Sequence, residues 1–281
     1  MDVNELRDAI ERLYELPPDG LPVDAEKRFL EFRGKLSRGE IRAAEPSQHG
    51  WIVNTWVKKG ILLGFRLGRI QDFSMRHPRM RFFDKHTFPL RELEPEDQVR
   101  IVPGGSSIRE GAFVGKGVVC MPPMFVNVGA YVDEGTMIDS NALVGSCAQI
   151  GRRVHLSAGV QIGGVLEPVG AVPVIVEDRV LVGGNCGIYE GTIVKKEAVL
   201  APGTLLTRST PVYDLVNETT LRGSAEAPLT IPRGAVVVPG SRPARGSFAS
   251  RENLHLYAPV IVKYRDPGTD AAVALEEALR L

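Results

Sequence analysis

The sequence predicts a mainly β protein: a left-handed parallel β-helix in the form of a triangular prism, preceded by a helical α/β domain and followed by a small strand-helix extension. Three observations predict it. Ile108, Val114, Cys120, Val126, Val132, Ile138, Val144, Ile150, Leu156 and Ile162 recur at six-residue steps in unbroken register. Four places after each anchor the residue is mostly small, as at Ala112, Ala130, Ala142 and Ala148. Glycine and proline number 30 and 20, which suits a chain that turns often. A period of six fits neither an α-helix nor a simple strand. It fits a solenoid in which each unit is one short strand and a corner, and three units complete a coil.

The segment before the repeat reads as helices and short strands. Leu6, Ile10 and Leu13 recur at helical spacing until "PPDG" stops them. "VDAEKRFLEFRGKLSRG" repeats the pattern through Phe29, Phe32 and Leu36 and ends at Gly39. "IRAAEPSQHGWIVNTW" reads as two strands around a turn, and "WVKKGILLGFRL" as a third helix. This gives an N-terminal domain over residues 1–98 and a β-helix over 99–210. The register breaks inside "GGVLEPVGAVPVI", near 163–175, and resumes at Val176, Val182, Ile188, Val194, Leu200 and Leu206. An insertion of two residues or of eight fits this break equally well. Residues 211–281 form the extension: "IPRGAVVVPGS" returns briefly to the repeat, "LHLYAPVIVKYRD" reads as a strand, and "TDAAVALEEALRL" as a terminal helix capped by Thr269 or Asp270.

The totals exclude several classes. Thirty-four basic and 34 acidic residues cancel, which argues against nucleic-acid binding by bulk charge. No apolar run is long enough to span a bilayer, so no membrane partner is expected. "MDVNELRDAIERLYEL" is charged and amphipathic, unlike a signal peptide. Cys120, Cys147 and Cys186 have no metal-like spacing and read as reduced thiols of a cytoplasmic protein. No P-loop, dinucleotide fingerprint or nucleophile elbow occurs.

If each anchor points inward, its two neighbours point outward, and residues eighteen apart stack. Asp139 then shares a face with Met121, Met137, His155 and Ser157. A carboxylate among apolar and neutral neighbours is a candidate general base, and His155 is its rival. Against these stand the plain readings of a salt-bridged edge acid and a hydrogen-bonded interface histidine. His49, His77, His86 and His255 lie off the prism. Cys147 and Cys186 fall at corners, as small core residues or, for one of them, a nucleophile. Phe113, Phe125, Tyr131 and Leu143 form outward apolar rows that point to a homotrimer of prisms.

Longer strings carry a resemblance. "VNVGAYVDEGTMIDSNALVGSCAQIGRRVHLSAGVQIGGVLEP", "GGNCGIYEGTIV", "STPVYDL", "APVIVKYRD", "WVKKGILLGFR" and "RFFDK" resemble the tetrahydrodipicolinate N-succinyltransferases over nearly the whole chain. The resemblance implies direct transfer of a succinyl group from succinyl-CoA to the amino group of ring-opened tetrahydrodipicolinate, in lysine and diaminopimelate biosynthesis, without a metal. It implies sites between neighbouring prisms of a trimer. Substrate contacts carry over onto Arg100 of "VRIVP" and Asp139 of "MIDS", with Asp139 also catalytic. Ser157, Gly163, Gly164 and Lys263 are expected at the CoA. Two positions depart from the better-known branch: Asn141 replaces a tryptophan, and Gly187 replaces a catalytic glutamate. Either Asp139 acts alone, or Glu190 or His155 substitutes, and Gly187 is expected to leave room for a glutamate. A related acetyl-CoA-dependent enzyme acting on a similar amino diacid, and a non-catalytic β-helix scaffold, are the competing readings.

Overall fold

In a computed structural model, residues 2–48, 50–74, 81–224, 227–266 and 268–269 are described. From Arg100 the chain runs in two-residue strands joined by tight corners. Each strand pairs in parallel with the strand eighteen residues on, as in Tyr131↔Gln149, Met137↔His155 and Leu143↔Gln161. Three faces result, named here by one outward residue each. The Tyr131 face stacks 113–114, 131–132, 149–150, 175–176, 193–194 and 230–231. The Leu143 face stacks 107–108, 125–126, 143–144, 161–162, 187–188 and 205–206. The Asp139 face begins at Arg100–Ile101 and continues through 119–120, 137–138, 155–156, 181–182 and 199–200.

All ten anchors and the small residues four places on are buried in one apolar column. The corners explain the glycines. Gly111, Gly117, Gly129, Gly135, Asn141, Cys147, Arg153 and Gly159, each three places after an anchor, all have positive φ. Glycine and asparagine enter that region at least cost.

Across the register break, Gln149 pairs with Ile175 and Gln161 with Gly187, 26 residues apart instead of 18. Eight residues are therefore inserted, which settles the choice that the spacing left open. The repeat also continues beyond residue 210. A nineteen-residue excursion carries the hairpin Val212–Asp214 and Thr219–Leu221, after which Ile193 pairs with Thr230 and Val199 with Val236. The stretch "LHLYAPVIVKYRD" is two strands and not one. His255–Tyr257 pairs with Ser241–Pro243, and after Ala258 and Pro259 the strand Val260–Tyr264 pairs with Ala235–Val238. Proline has no N–H to give a ladder, which fits a break there. The expected terminal helix and His49 and His77 lie outside the described residues.

Three helices, α1 (Val3–Glu15), α2 (Ala25–Ser37) and α3 (Thr55–Leu67), enclose a second core of Leu6, Ile10, Phe29, Phe32, Ile61 and Phe88. Val128 and Cys147 of the prism corners belong to it. Asp2 caps α1, accepting from the Asn4 and Glu5 N–H groups. The glycines inside α3 are there for contact: a Cβ at Gly64 would stand 2.3 Å from Phe29, and one at Gly60 2.4 Å from Phe32. This domain covers the Tyr131 face. The Arg42 guanidinium lies 3.6 Å from the centre of the Tyr131 ring, which stacks on Phe113 at 4.5 Å. Phe113 and Tyr131, expected at a subunit interface, are therefore packed under their own chain's N-terminal domain. Phe125 and Leu143 are buried to the same intermediate degree but lie on another face.

Asp214 ties the extension together. Burial works to raise its carboxyl pKa, but hydrogen bonds from Tyr264 Oη at 2.7 Å, Asn217 Nδ2 at 2.8 Å and the Val216 and Asn217 N–H groups outweigh burial and hold it below the usual range. A carboxyl depressed by folding stabilises above its unfolded pKa of about 3.9, and that contribution is lost as pH falls through the lower folded value. Asp214→Asn is expected to cost about 1–3 kcal/mol at pH 7. The gap from wild type should close as pH drops below 4. Denaturant unfolding over this pH range checks it, and parallel curves for the two proteins would contradict it.

Candidate functional site

The ladder fixes where each candidate stands. Arg100 pairs with Val119, which pairs with Met137, so Arg100 lies two strand spacings from Met137, roughly 9–10 Å along the prism axis. Asp139 follows Ile138 at the corner leading to the Leu143 face. Its N–H donates to Leu156 O at 2.9 Å, and its Oδ1 accepts from the Ser140 N–H at 2.6 Å. Met121 and Ser157 flank it one coil away on either side, by the bonds Met121 N–H to Ile138 O and Asp139 N–H to Leu156 O. His155 stacks between Met137 and Leu181 and is only 7% exposed. Arg100 and His155 thus share one column of the Asp139 face, before its inward anchors, and Asp139 and Ser157 share the column after them, at the edge of the same face. Arg100 is exposed and Asp139 half-buried.

The second group stands at the opposite edge of the Leu143 face. A cleft of about 750 Å³ is lined by Gly163, Gly164, the inserted loop from Val165 to Val172, Tyr189, Glu190, Gly191, Thr207 and Arg208. Glu190 Oε2 accepts from the Arg208 N–H at 3.2 Å, which joins two coils at the cleft floor. The loop is held from behind. Lys58 of α3 is 0% exposed, and its Nζ donates to Ala171 O at 2.6 Å. Burial pushes the Lys58 ammonium below the ordinary lysine range, which the nearby Cys147 opposes weakly.

Six residues of extended chain separate the Asp139 corner from the cleft corner, roughly 15–20 Å within one chain. Gly163, Gly164 and Glu190 gather at the cleft; Arg100, Asp139, His155 and Ser157 do not join them. Lys263 belongs to neither group. It pairs with Val236 at the far end of the Asp139 face from Arg100, and its Nζ bonds Asp266 at 2.8 Å. Gly187 is not the open cleft position that its place beside Ile188 suggests. It is buried beneath the Tyr189 ring, and a Cβ there would lie 2.4 Å from that ring, so a glutamate is not accommodated without moving the tyrosine. Tyr189 was missed because it carries no motif. The signal is an outward aromatic two places after an outward glycine.

All three cysteines are buried. Burial pushes the Cys120 and Cys147 thiols up to about 12 and raises Cys186 as well. A thiolate is the nucleophilic form, so none of the three is poised to act as one near neutral pH.

A coiled prism built from six-residue units defines a hexapeptide-repeat protein. Residues 173–208 match the family model for the hexapeptide repeat of succinyl-transferase, and residues 5–67 the model for the tetrahydrodipicolinate N-succinyltransferase N-terminal domain. The 2,3,4,5-tetrahydropyridine-2,6-dicarboxylate N-succinyltransferase of Aromatoleum aromaticum is 43% identical over 278 residues, 97% of this chain and 96% of that one. Its namesake from Idiomarina loihiensis is 43% identical over 250 residues, 88% and 86% of the two chains. The chain belongs to the tetrahydrodipicolinate N-succinyltransferase family.

Lys58→Met keeps the apolar stem but leaves Ala171 O without its donor. Amide hydrogen exchange over residues 163–174 should speed up by about tenfold while α3 stays protected. Unchanged exchange in the loop would show that Lys58 does not hold it.

Proposed function

We propose that the protein transfers the succinyl group of succinyl-CoA to the amino group of ring-opened tetrahydrodipicolinate, giving N-succinyl-2-amino-6-oxopimelate. The observation that carries this reading is the end-to-end likeness to relatives of that name. The register adds to it, because Arg100 and Asp139 lie on one face of the prism, two coils apart along its axis and two residues apart along the strand. The Arg100 guanidinium offers a planar fork to a substrate carboxylate. Asp139 takes the proton of the amine as its nitrogen attacks the thioester carbonyl. The carbonyl oxygen gains the negative charge of the tetrahedral intermediate. Collapse breaks the carbon–sulfur bond and releases CoA, and an amide remains on the substrate.

The pantetheine arm lies in the cleft walled by the inserted loop, where backbone N–H groups of the coils are at hand. One chain holds the amine-binding edge and the acyl-donor cleft on opposite sides of the Leu143 face. A homotrimer in which the Asp139 corner of one prism meets the cleft of its neighbour brings them together. The half-exposed Phe125 and Leu143 supply apolar surface for that contact. Buried free thiols fit a cytoplasmic enzyme, and among the described residues no helix is long and apolar enough to cross a membrane.

Thiol release followed with succinyl-CoA or acetyl-CoA, each with tetrahydrodipicolinate, tests the reading. Succinyl-CoA should be the faster donor by at least about tenfold, within what a site that binds a donor carboxylate can discriminate. Asp139→Asn should lower kcat roughly 10²–10⁴-fold, the range for removal of a general base, and His155→Gln less than about tenfold. Arg100→Lys should raise KM for the amino diacid more than for the acyl-CoA. A crippled His155→Gln beside a mild Asp139→Asn would make the histidine the base. A faster acetyl donor would move the protein to the acetyl-CoA-dependent reading.

A further inference from the structure

Gly163 and Gly187 stand at successive levels of the Leu143 face, Gly163 donating its N–H to Ile188 O at 2.8 Å. Neither has a positive φ, so backbone conformation does not demand glycine at either place. What demands it is one side chain. The Tyr189 ring lies across both: a Cβ at Gly163 would stand 2.8 Å from its Cδ1, and one at Gly187 2.4 Å from its Cε2 and 2.7 Å from its hydroxyl. Two coils thus give up their side chains to seat one ring. Its hydroxyl is delivered over Gly187, toward the strip that leads from the cleft to the Asp139 edge. The ring itself lines the cleft beside Gly164 and Glu190.

A phenol fixed in this way has few rotamers left to lose and is pre-organised as a hydrogen-bond group. A phenol O–H is a hydrogen-bond donor as well as an acceptor, so the ring brings a proton that it can share. Donors are what the reaction needs where charge appears on the thioester oxygen. Glu190, the carboxylate beside it, cannot donate when ionised and is turned to the Arg208 N–H.

We infer that the Tyr189 hydroxyl donates a hydrogen bond to the carbonyl oxygen of the bound acyl thioester and strengthens that bond as the oxygen becomes an oxyanion. This rests on the acyl-transfer reading above. It assigns the tyrosine a substrate contact separate from proton removal at Asp139. It also makes Gly163 and Gly187 positioning residues that act through the ring.

Tyr189→Phe keeps the ring on its glycine seat and removes only the donor. The expected result is a kcat loss of roughly 10²–10³-fold, the range for losing one oxyanion donor, with KM for succinyl-CoA within about threefold and the melting temperature unchanged. Gly187→Ala, which displaces the ring, should lose a similar factor in kcat. As a second readout, the methyl of Gly187→Ala combined with Tyr189→Phe should cost little more than either change alone, because both remove the same bond. A Tyr189→Phe enzyme with kcat within twofold of wild type overturns the assignment and leaves acyl transfer standing. So does one in which only KM rises, since the tyrosine would then be a binding wall. A wild-type protein that releases thiol from neither donor overturns the acyl-transfer reading, and the assignment with it.

Discussion

One inward apolar side chain in every six residues is the constraint on which everything else depends. Because strand residues alternate, each inward anchor fixes an outward residue on either side, and the eighteen-residue coil stacks those outward residues in columns. A slip of one residue would turn Ile138 out and Asp139 into the core, and would do the same along the whole ladder. The ladder holds through two interruptions, of eight and nineteen residues, because both leave at corners and return in register. The first interruption is what makes a cleft: a bare prism is flat, and the segment between Gly163 and Val176 supplies a wall.

The three faces are used differently. The Tyr131 face is covered by the chain's own N-terminal domain, through Arg42 on Tyr131 and a Trp51 Nε1 bond to Glu177 at 3.2 Å. The Asp139 face is capped at its far end by Ala235–Val238 and Val260–Tyr264. The Leu143 face, with Asp139 at one edge and the cleft at the other, carries the partly exposed Phe125 and Leu143. The same packing that covers Tyr131 anchors the cleft. Lys58 crosses from α3 to the inserted loop, so the N-terminal domain belongs to the architecture of the site although it carries no candidate reacting group.

Much of this was legible in the residues. The anchors, the three N-terminal helices, the two short strands around residues 47–50 and the column neighbours of Asp139 follow from periodicity alone. What was not legible depends on distance in space. Periodicity says that Tyr131 and Leu143 both point outward but not which face another part of the chain will cover. Lys263 reads as a cation near the end of a familiar string, yet the return of its strand sets it at the end of the Asp139 face, away from the cleft. Gly187 reads as an empty place because a glycine has no side chain. The occupant is a neighbour two residues on, and only coordinates show a ring lying over a backbone.

The central claim is that the site is assembled from two corners that one chain keeps apart. Two variants, each disabled at one corner, test it most directly. Asp139→Asn removes the base at one edge, and Ala227→Trp, at an exposed position on the cleft rim, blocks the other. Unfolded together and refolded as a mixture, random trimers should contain intact sites at about one boundary in four, given cyclic head-to-tail contacts. The account predicts that the mixture recovers up to about a quarter of wild-type activity per site while each variant alone stays inactive. A mixture no more active than its parents, although hybrid trimers have formed, would place the whole site within one chain and contradict the account.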